Sequence, residues 1–136
     1  MSRRDGSVST ELVLITPVLL VLLGFVVMTG RIGAADTAVG HAAQQAARAA
    51  SMVGTAESAR TAAHLTARAN LDTLGVACRD LHVEVDTSRL APGGEVAVAL
   101  SCTVDLADVV FAGLPGQRQI SVSALEVVDR HRGVGR

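Results

Sequence analysis

The chain has 136 residues, a length that suits one modest domain. Hydrophobic residues make up 49% of it, charged residues 18% and aromatic residues 1%, and its formal net charge at pH 7 is −1. A protein that binds nucleic acid needs a positively charged surface for the phosphates or exposed aromatic rings for the bases. The composition therefore excludes nucleic acid as an expected partner and leaves an apolar excess to be explained.

The first thirty residues explain that excess and predict a membrane anchor. A short polar leader, residues 1–6, is followed by an uncharged apolar run from Leu12 to Met28. At about 1.5 Å per residue the run extends over roughly 26 Å, close to the hydrocarbon thickness of a bilayer. It lacks the polar face, recurring every three or four residues, that a water-soluble helix shows. We therefore predict a transmembrane helix over residues 7–30 in a single-pass protein of the cell membrane.

The charges that flank the run predict its orientation. Arg3 and Arg4 precede it, so the N-terminus is expected to be cytoplasmic and the C-terminal domain extracytoplasmic. An ordinary signal peptide is the first alternative, with Gly33-Ala34-Ala35 as its cleavage site. Against this alternative, Arg31 stands in a region that should be neutral, and the apolar run is longer than a usual signal core.

A carboxylate at the edge of the apolar run is the most informative single feature. An ionisable group at a membrane boundary costs on the order of 1–3 kcal/mol unless it is paired or reaches water, so Glu11 is a candidate functional residue. If a peptidase cut between Gly6 and Ser7, Glu11 would become the fifth residue of the mature chain. The alternative interpretation is an interfacial glutamate that merely extends its carboxylate to water.

The segment from Gly6 to Pro17 resembles the class III signal of type IV pilins and pseudopilins. It looks like the TadE/TadF family of the tight-adherence (Flp) pilus systems. Gly6, Glu11 five residues later, and Pro17 within the span carry the resemblance. The small-residue segment at 41–50 is similar to the helix that follows the span in that family. Leu12 replaces the aromatic residue that commonly follows the glutamate, and no acidic residue stands near the far end of the span, so the subfamily stays open.

The resemblance implies a structural role in a pilus. A prepilin peptidase would cleave between Gly6 and Ser7 and leave the apolar helix in place. Glu11 would neutralise the N-terminal amine of a neighbouring pilin or pseudopilin subunit, and Pro17 would kink the span. The chain is therefore expected to be a minor pseudopilin-like subunit of a bacterial pilus or of a related secretion apparatus.

Beyond the span the sequence predicts an α+β fold, with an alanine-rich helical region followed by a small three-stranded antiparallel sheet. Residues 31–75 are rich in helix-forming Ala, Arg and Gln, and Gly54-Thr55 is expected to divide them into two helices, the first continuous with the span. After Gly75 the apolar period changes to two, which is typical of strands and predicts a β region over residues 76–130. Turns are predicted at 92–94 and 113–116, a third strand over 119–128 and a flexible tail over 131–136.

The only two cysteines, Cys78 and Cys102, fall in the regions of the first two predicted strands. Pairing Val85 with Val96 across the turn places Cys102 opposite Arg79, one residue from Cys78. A bulge or an irregular strand start is therefore needed to bring the two cysteines together. Export to an oxidising compartment favours a disulfide over the alternative of two free buried thiols.

The sequence contains no residue pattern typical of an active site or a metal centre. The four histidines lie in different predicted elements, without the short spacing to other ligands that a metal site needs: His41, His64, His82 and His131. His82 and Glu84 share a polar strand face and are interpreted as a solvated pair. We therefore expect no enzymatic activity, no cofactor and no small-molecule substrate.

Three hypotheses for the function remain, and the mature N-terminus separates them. Ser7 would identify a cleaved pseudopilin. Met1 or Ser2 would identify an uncleaved single-pass membrane protein with an extracytoplasmic partner-binding domain. A residue near Asp36 would identify a secreted protein with an ordinary signal peptide.

Overall fold

The computed structural model describes residues 5–105 and 116–131, with side chains from residue 11 onward. The elements are, in chain order, α1 (Asp5–Ser51), α2 (Ala56–Thr73), β1 (Cys78–Asp86), β2 (Glu95–Asp105) and β3 (Gln117–Val127). The predicted α+β fold is thus confirmed, with a long apolar N-terminal helix, a second helix and a three-stranded antiparallel sheet. The predicted leader up to residue 4, residues 113–115 of the second turn and the tail from residue 132 lie outside the described residues.

The chain divides into two compact units, Met1–Ala34 and Ala35–Arg136. In the first unit, α1 continues through Pro17. Proline has no N–H to donate to the carbonyl of Val13, four residues earlier. The hydroxyl of Thr16 donates to the carbonyl of Leu12 at 2.6 Å, which adds a side-chain hydrogen bond to the same turn.

In the second unit, the break between the two helices lies where the sequence predicts it. α1 ends at Ser51, and Thr55 is the N-cap of α2, with its Oγ1 accepting a hydrogen bond from the N–H of Ser58 at 3.2 Å. A hydroxyl in this position satisfies one of the N–H groups that have no partner inside the helix. After α2, Gly75 has a positive φ of 70° and the N–H of Val76 returns to the carbonyl of Leu71 at 3.0 Å. This left-handed residue ends the helix at low cost because glycine has no Cβ.

The sheet is an antiparallel meander in the order β1-β2-β3, as predicted, but its first register differs from the prediction by two residues. Val85 pairs with Val98 and not with Val96. The connection over residues 87–94 forms its own turns, and the N–H of Glu95 bonds to the carbonyl of Arg89 at 3.2 Å, inside the connection. β1–β2 pairing therefore begins only at Ala97, opposite Asp86. Because the side-chain period of a strand is two, a two-residue shift leaves every side chain on its predicted face.

The β1–β2 connection is held by local polar contacts and one tight backbone approach. The N–H of Ser88 donates to Asp86 Oδ1 at 2.9 Å. Hydrogen bonds from the Ser88 hydroxyl and N–H, with the nearby Arg89 charge, lower the pKa of Asp86 below its ordinary value. Gly94 lies against the carbonyl of Arg89, where a Cβ has no room, and Gly93 has a φ of 80°. Both glycines of the predicted turn are therefore required by the backbone.

The core of the second unit is built mainly from small side chains. α2 buries residues spaced by four along one face: Ala59, Ala63, Ala67 and Leu71. The C-terminal part of α1 contributes Val39 and five fully or almost fully buried alanines: Ala42, Ala43, Ala46, Ala47 and Ala50. β2 supplies the bulk from its inner face: Val96, Val98, Leu100 and Cys102. Alanine faces allow helices to approach the sheet closely, so a modest number of large residues suffices to fill the core.

Candidate functional site

The N-terminal part of α1 exposes its apolar side chains. The large hydrophobic residues between Leu12 and Met28 have exposed fractions from 38% at Met28 to 73% at Val21. Within the part of the chain that the structure describes, this is the one helix long and apolar enough to cross a membrane. Exposing such a continuous surface to water opposes the hydrophobic effect, whereas lipid accepts it without cost. The described residues therefore include one candidate membrane-spanning helix, near the N-terminus.

Glu11 lies at the start of this apolar surface, and its side chain is exposed. Among the residues with described side chains, no cation lies within ion-pair distance of its carboxylate. The next charged residue along the helix is Arg31. The two are separated by twenty residues, or roughly 30 Å of helix, which is close to the hydrocarbon thickness of a bilayer. A span placed between these two charges would therefore leave the Glu11 carboxylate at one membrane boundary.

The structure describes only part of the other predicted site residues in the N-terminal segment. The backbone of Gly6 and Ser7 lies in the first turn of α1. The Ser7 side chain is outside the described part of the chain. Pro17 lies six residues after Glu11 on the same uninterrupted helix. Cleavage between Gly6 and Ser7 and a kink at Pro17 therefore stay predictions.

The two cysteines come together at the start of the sheet. Cys102 lies opposite Leu81 and Cys78 opposite Val104, with a register shift between Cys78 and Leu81. This corrects the predicted pairing of Cys102 with Arg79, while the irregularity that the sequence required is present. The Cα atoms of Cys78 and Cys102 are 5.4 Å apart, and the two residues are joined as a disulfide. The distance is typical of disulfide-bonded pairs.

We expect the bond between Cys78 and Cys102 to form in exported protein and to stabilise the second unit. Closing a loop between residues 24 positions apart contributes about 3 kcal/mol in the chain-entropy description. Mass spectrometry of exported protein alkylated without reduction should find neither thiol modified. Reduction before alkylation is the control and should label both. Two alkylated thiols in the unreduced sample would refute the disulfide.

Three of the four histidines lie in different elements, His41 in α1, His64 in α2 and His82 in β1. His82 and Glu84 both lie on the exposed face of β1. Across residues 5–105 and 116–131, no three His, Cys, Asp or Glu side chains are grouped as metal ligands would be.

One surface was missed by the sequence analysis. Leu125 and Val127 on β3 are exposed by 59% and 64%, on the face of the sheet that points away from the helices. The strand pattern contains the signal, because Gln119, Ser121 and Ser123 alternate outward and the next two outward positions are apolar. An apolar pair on a predicted polar face is the kind of feature that marks a contact.

The comparisons with known proteins concern the N-terminal segment. Residues 6–48 match the family model described as TadE-like protein. No curated protein matches the chain. No solved structure matches it either. The matched residues contain Gly6, Ser7, Glu11, Pro17 and the exposed apolar helix, and they end within α1. The chain therefore carries a TadE-like segment over residues 6–48, as its resemblance to the TadE/TadF family predicted.

Proposed function

We propose that this protein is a minor pseudopilin-like structural subunit of a Flp/Tad-type pilus or of a related secretion apparatus. In this role a prepilin peptidase cleaves it between Gly6 and Ser7. Its span stays in the membrane until assembly, and its second unit lies outside the cytoplasm. Its partners are the membrane, the peptidase and other pilin or pseudopilin subunits. It acts through contacts and not as an enzyme.

The observation that carries the proposal is the coincidence of three features in one segment. The TadE-like match covers residues 6–48, which include the exposed apolar helix and the carboxylate of Glu11 at its start. A carboxylate in this position is costly for a simple anchor and useful for a subunit that binds a neighbouring amino terminus.

The continuity of α1 supports an anchored form over a secreted one. Cleavage at Gly33-Ala34-Ala35 would cut a helix that runs without interruption to Ser51. The residues just beyond the cut already belong to the core, because Ala38 is 8% exposed and Val39 is fully buried. Removing the preceding turns would leave this packed helix with a new, frayed end.

The mature N-terminus tests the proposal directly. The membrane fraction of cells that express the full chain should yield a protein that begins at Ser7 when its terminal peptide is sequenced by mass spectrometry. An intact Met1 or Ser2 would favour an uncleaved single-pass protein with an extracytoplasmic binding domain. A terminus near Asp36 would favour an ordinary secreted protein. Either of these outcomes would overturn the peptidase-processed subunit.

Replacing Gly6 by leucine should block maturation. Peptidases of the prepilin type favour a small residue before the cut, so Gly6→Leu should accumulate with its leader attached and gain the mass of residues 1–6. Gly24→Leu is the matched control, because no atom lies within 4 Å of a Cβ placed there and the residue lies within the apolar run. The control should mature like the wild type. A Gly6→Leu protein that begins at Ser7 would contradict the predicted cleavage site.

A further inference from the structure

The sheet of the second unit has one covered face and one open face. The inner face packs against α1 and α2 through buried β2 residues such as Val98 and Leu100. Among the described residues nothing packs on the outer face, where Ser121, Ser123 and Leu125 are exposed. Antiparallel sheets often have one solvent-exposed face, and the side chains on that face are usually polar. Here it carries exposed apolar residues, so its composition calls for a partner.

The open face has a shape as well as a composition. Small side chains of β2 and β3 form the floor of a shallow channel of about 340 Å³: Ala99, Ser101, Ser121 and Ser123. On the β1 side, His82 and Glu84 line the channel. On the β3 side, Leu125 and Val127 stand on the same face further along the strand. A floor of small residues bordered by larger ones is suited to receive one bulky side chain from a helix.

The outward face of α2 presents such a side chain. Leu65 is 63% exposed, although it lies in the middle of the helix. Its neighbours on that face are exposed, and besides the charged Arg68 and Asp72 they are small: Ser58, Thr61 and Ala69. The buried face of α2, centred on Ala63 and Ala67, lies on the opposite side. α2 therefore offers a flat ridge with one apolar projection, which faces away from its own sheet.

Two charges of opposite sign are available for pairing between the surfaces, Arg68 on α2 and Glu84 on β1. Arg68 is exposed one turn after Leu65, and among the described residues no carboxylate lies within ion-pair distance of it. Glu84, at the border of the channel, is exposed and likewise lacks a cation among the described residues. If Leu65 of one copy occupies the channel of another, Arg68 follows three residues later on the same face of the helix. Its guanidinium can then reach the Glu84 carboxylate at the border of the channel.

We propose that the open face of the sheet binds the outward face of α2 from a second copy of this chain, with Leu65 in the channel and Arg68 paired with Glu84. The two surfaces point in opposite directions on one copy, so each copy can use both at once, one with each neighbour. Such a contact is heterologous, so it can repeat from one copy to the next. The inference rests on the structural role proposed above, since it describes how copies of such a subunit stack.

Cross-linking of two differently tagged copies tests the contact. One full-length copy carries Leu65→Cys and the other Ser101→Cys, co-expressed in membranes. These positions lie on opposite sides of one copy, so a disulfide between them must join two chains. The native cysteines are already paired with each other. Leu74→Cys, also an exposed leucine near the end of α2, replaces Leu65→Cys in the control. The proposal expects a mixed-tag dimer for Leu65→Cys well above the Leu74→Cys background, and equal yields would overturn it.

A charge exchange separates a specific contact from a chance collision. Arg68→Glu should lower the cross-linked fraction by about tenfold, since it places two carboxylates at the contact. Adding Glu84→Arg should restore most of the yield, because the pair is then reversed. A double variant no better than the single one would remove the pair from the proposal. If the protein matures to Ser7 but does not cross-link, the proposed contact is overturned and the proposed function stands. If the protein cross-links but never matures, the proposed function is overturned and the contact stands.

Discussion

Replacing Glu11 by alanine should abolish assembly while leaving the protein inserted, matured and folded. The residue lies in the first compact unit, whereas the sheet and both cysteines lie in the second. Removing the charge makes the span more apolar, so insertion should be unharmed or slightly improved. The variant lacks the carboxylate that we expect to pair with the N-terminal amine of a neighbouring subunit. Deleting one member of a pair in low dielectric costs about 3–5 kcal/mol, because the other charge is left uncompensated.

The Glu11→Ala experiment has three readouts and a matched control. Surface pili or secreted product should fall to background, while the mature terminus stays at Ser7 and the disulfide stays intact. Glu11→Asp keeps the charge and should retain part of the assembly. Glu57→Ala removes an exposed carboxylate from the first turn of α2 and should assemble normally. Wild-type assembly by Glu11→Ala would show that the glutamate is merely interfacial, and the pseudopilin proposal would then rest on Gly6 and the family match alone.

Replacing Leu71 by alanine should destabilise the second unit more than any other truncation on α2. Leu71 is 2% exposed and is the largest buried side chain of that helix, where the other buried positions are alanines. Leucine-to-alanine changes in a core cost about 2–5 kcal/mol, through lost burial and the cavity left behind. A small domain has a total stability of only about 5–15 kcal/mol, so the change consumes a large part of it.

Leu65 provides the control on the same helix, six residues earlier. Because it is 63% exposed, Leu65→Ala should change the free energy of unfolding by no more than about 0.5 kcal/mol. Pulse proteolysis of the full chain in detergent micelles, over a series of urea concentrations, measures both variants. We expect the wild type and Leu65→Ala to unfold at the same urea concentration, and Leu71→Ala to unfold at a clearly lower one. Equal midpoints for the two variants would contradict the assigned burial of α2.

Much of the fold follows from patterns that are local in the sequence. The break at Gly54-Thr55 could be predicted because glycine disfavours helix and threonine caps the next one. The inward and outward positions of β1 and β2 followed from the alternation of apolar and polar residues. The β1–β2 register could not be predicted, because it depends on how residues 87–94 fold on themselves through bonds such as Glu95 N–H to Arg89 O. Nothing in the strand alternation distinguishes two registers that differ by two residues.

The candidate site shows the same division. Glu11 and the apolar span could be identified from the sequence, because a lone carboxylate before nineteen uncharged residues is a one-dimensional pattern. The exposed leucine of α2 could not. Leu65 and Leu71 are the same residue type on one helix. Which of them is exposed depends on the face that each element turns to the core.

The sequence by itself determined the candidate membrane span, its resemblance to TadE-like proteins, the class of the fold and the order of its elements. These properties depend on composition and on periods of two or 3.6 residues, which act within a few positions along the chain. Only the tertiary structure decided the β1–β2 register, the placement of Cys78 diagonal to Cys102, and the burial of Leu71 against the exposure of Leu65. Each of these depends on contacts between residues far apart in sequence. Their energies are set by packing and by the hydrogen bonds of the connections, which no local pattern records.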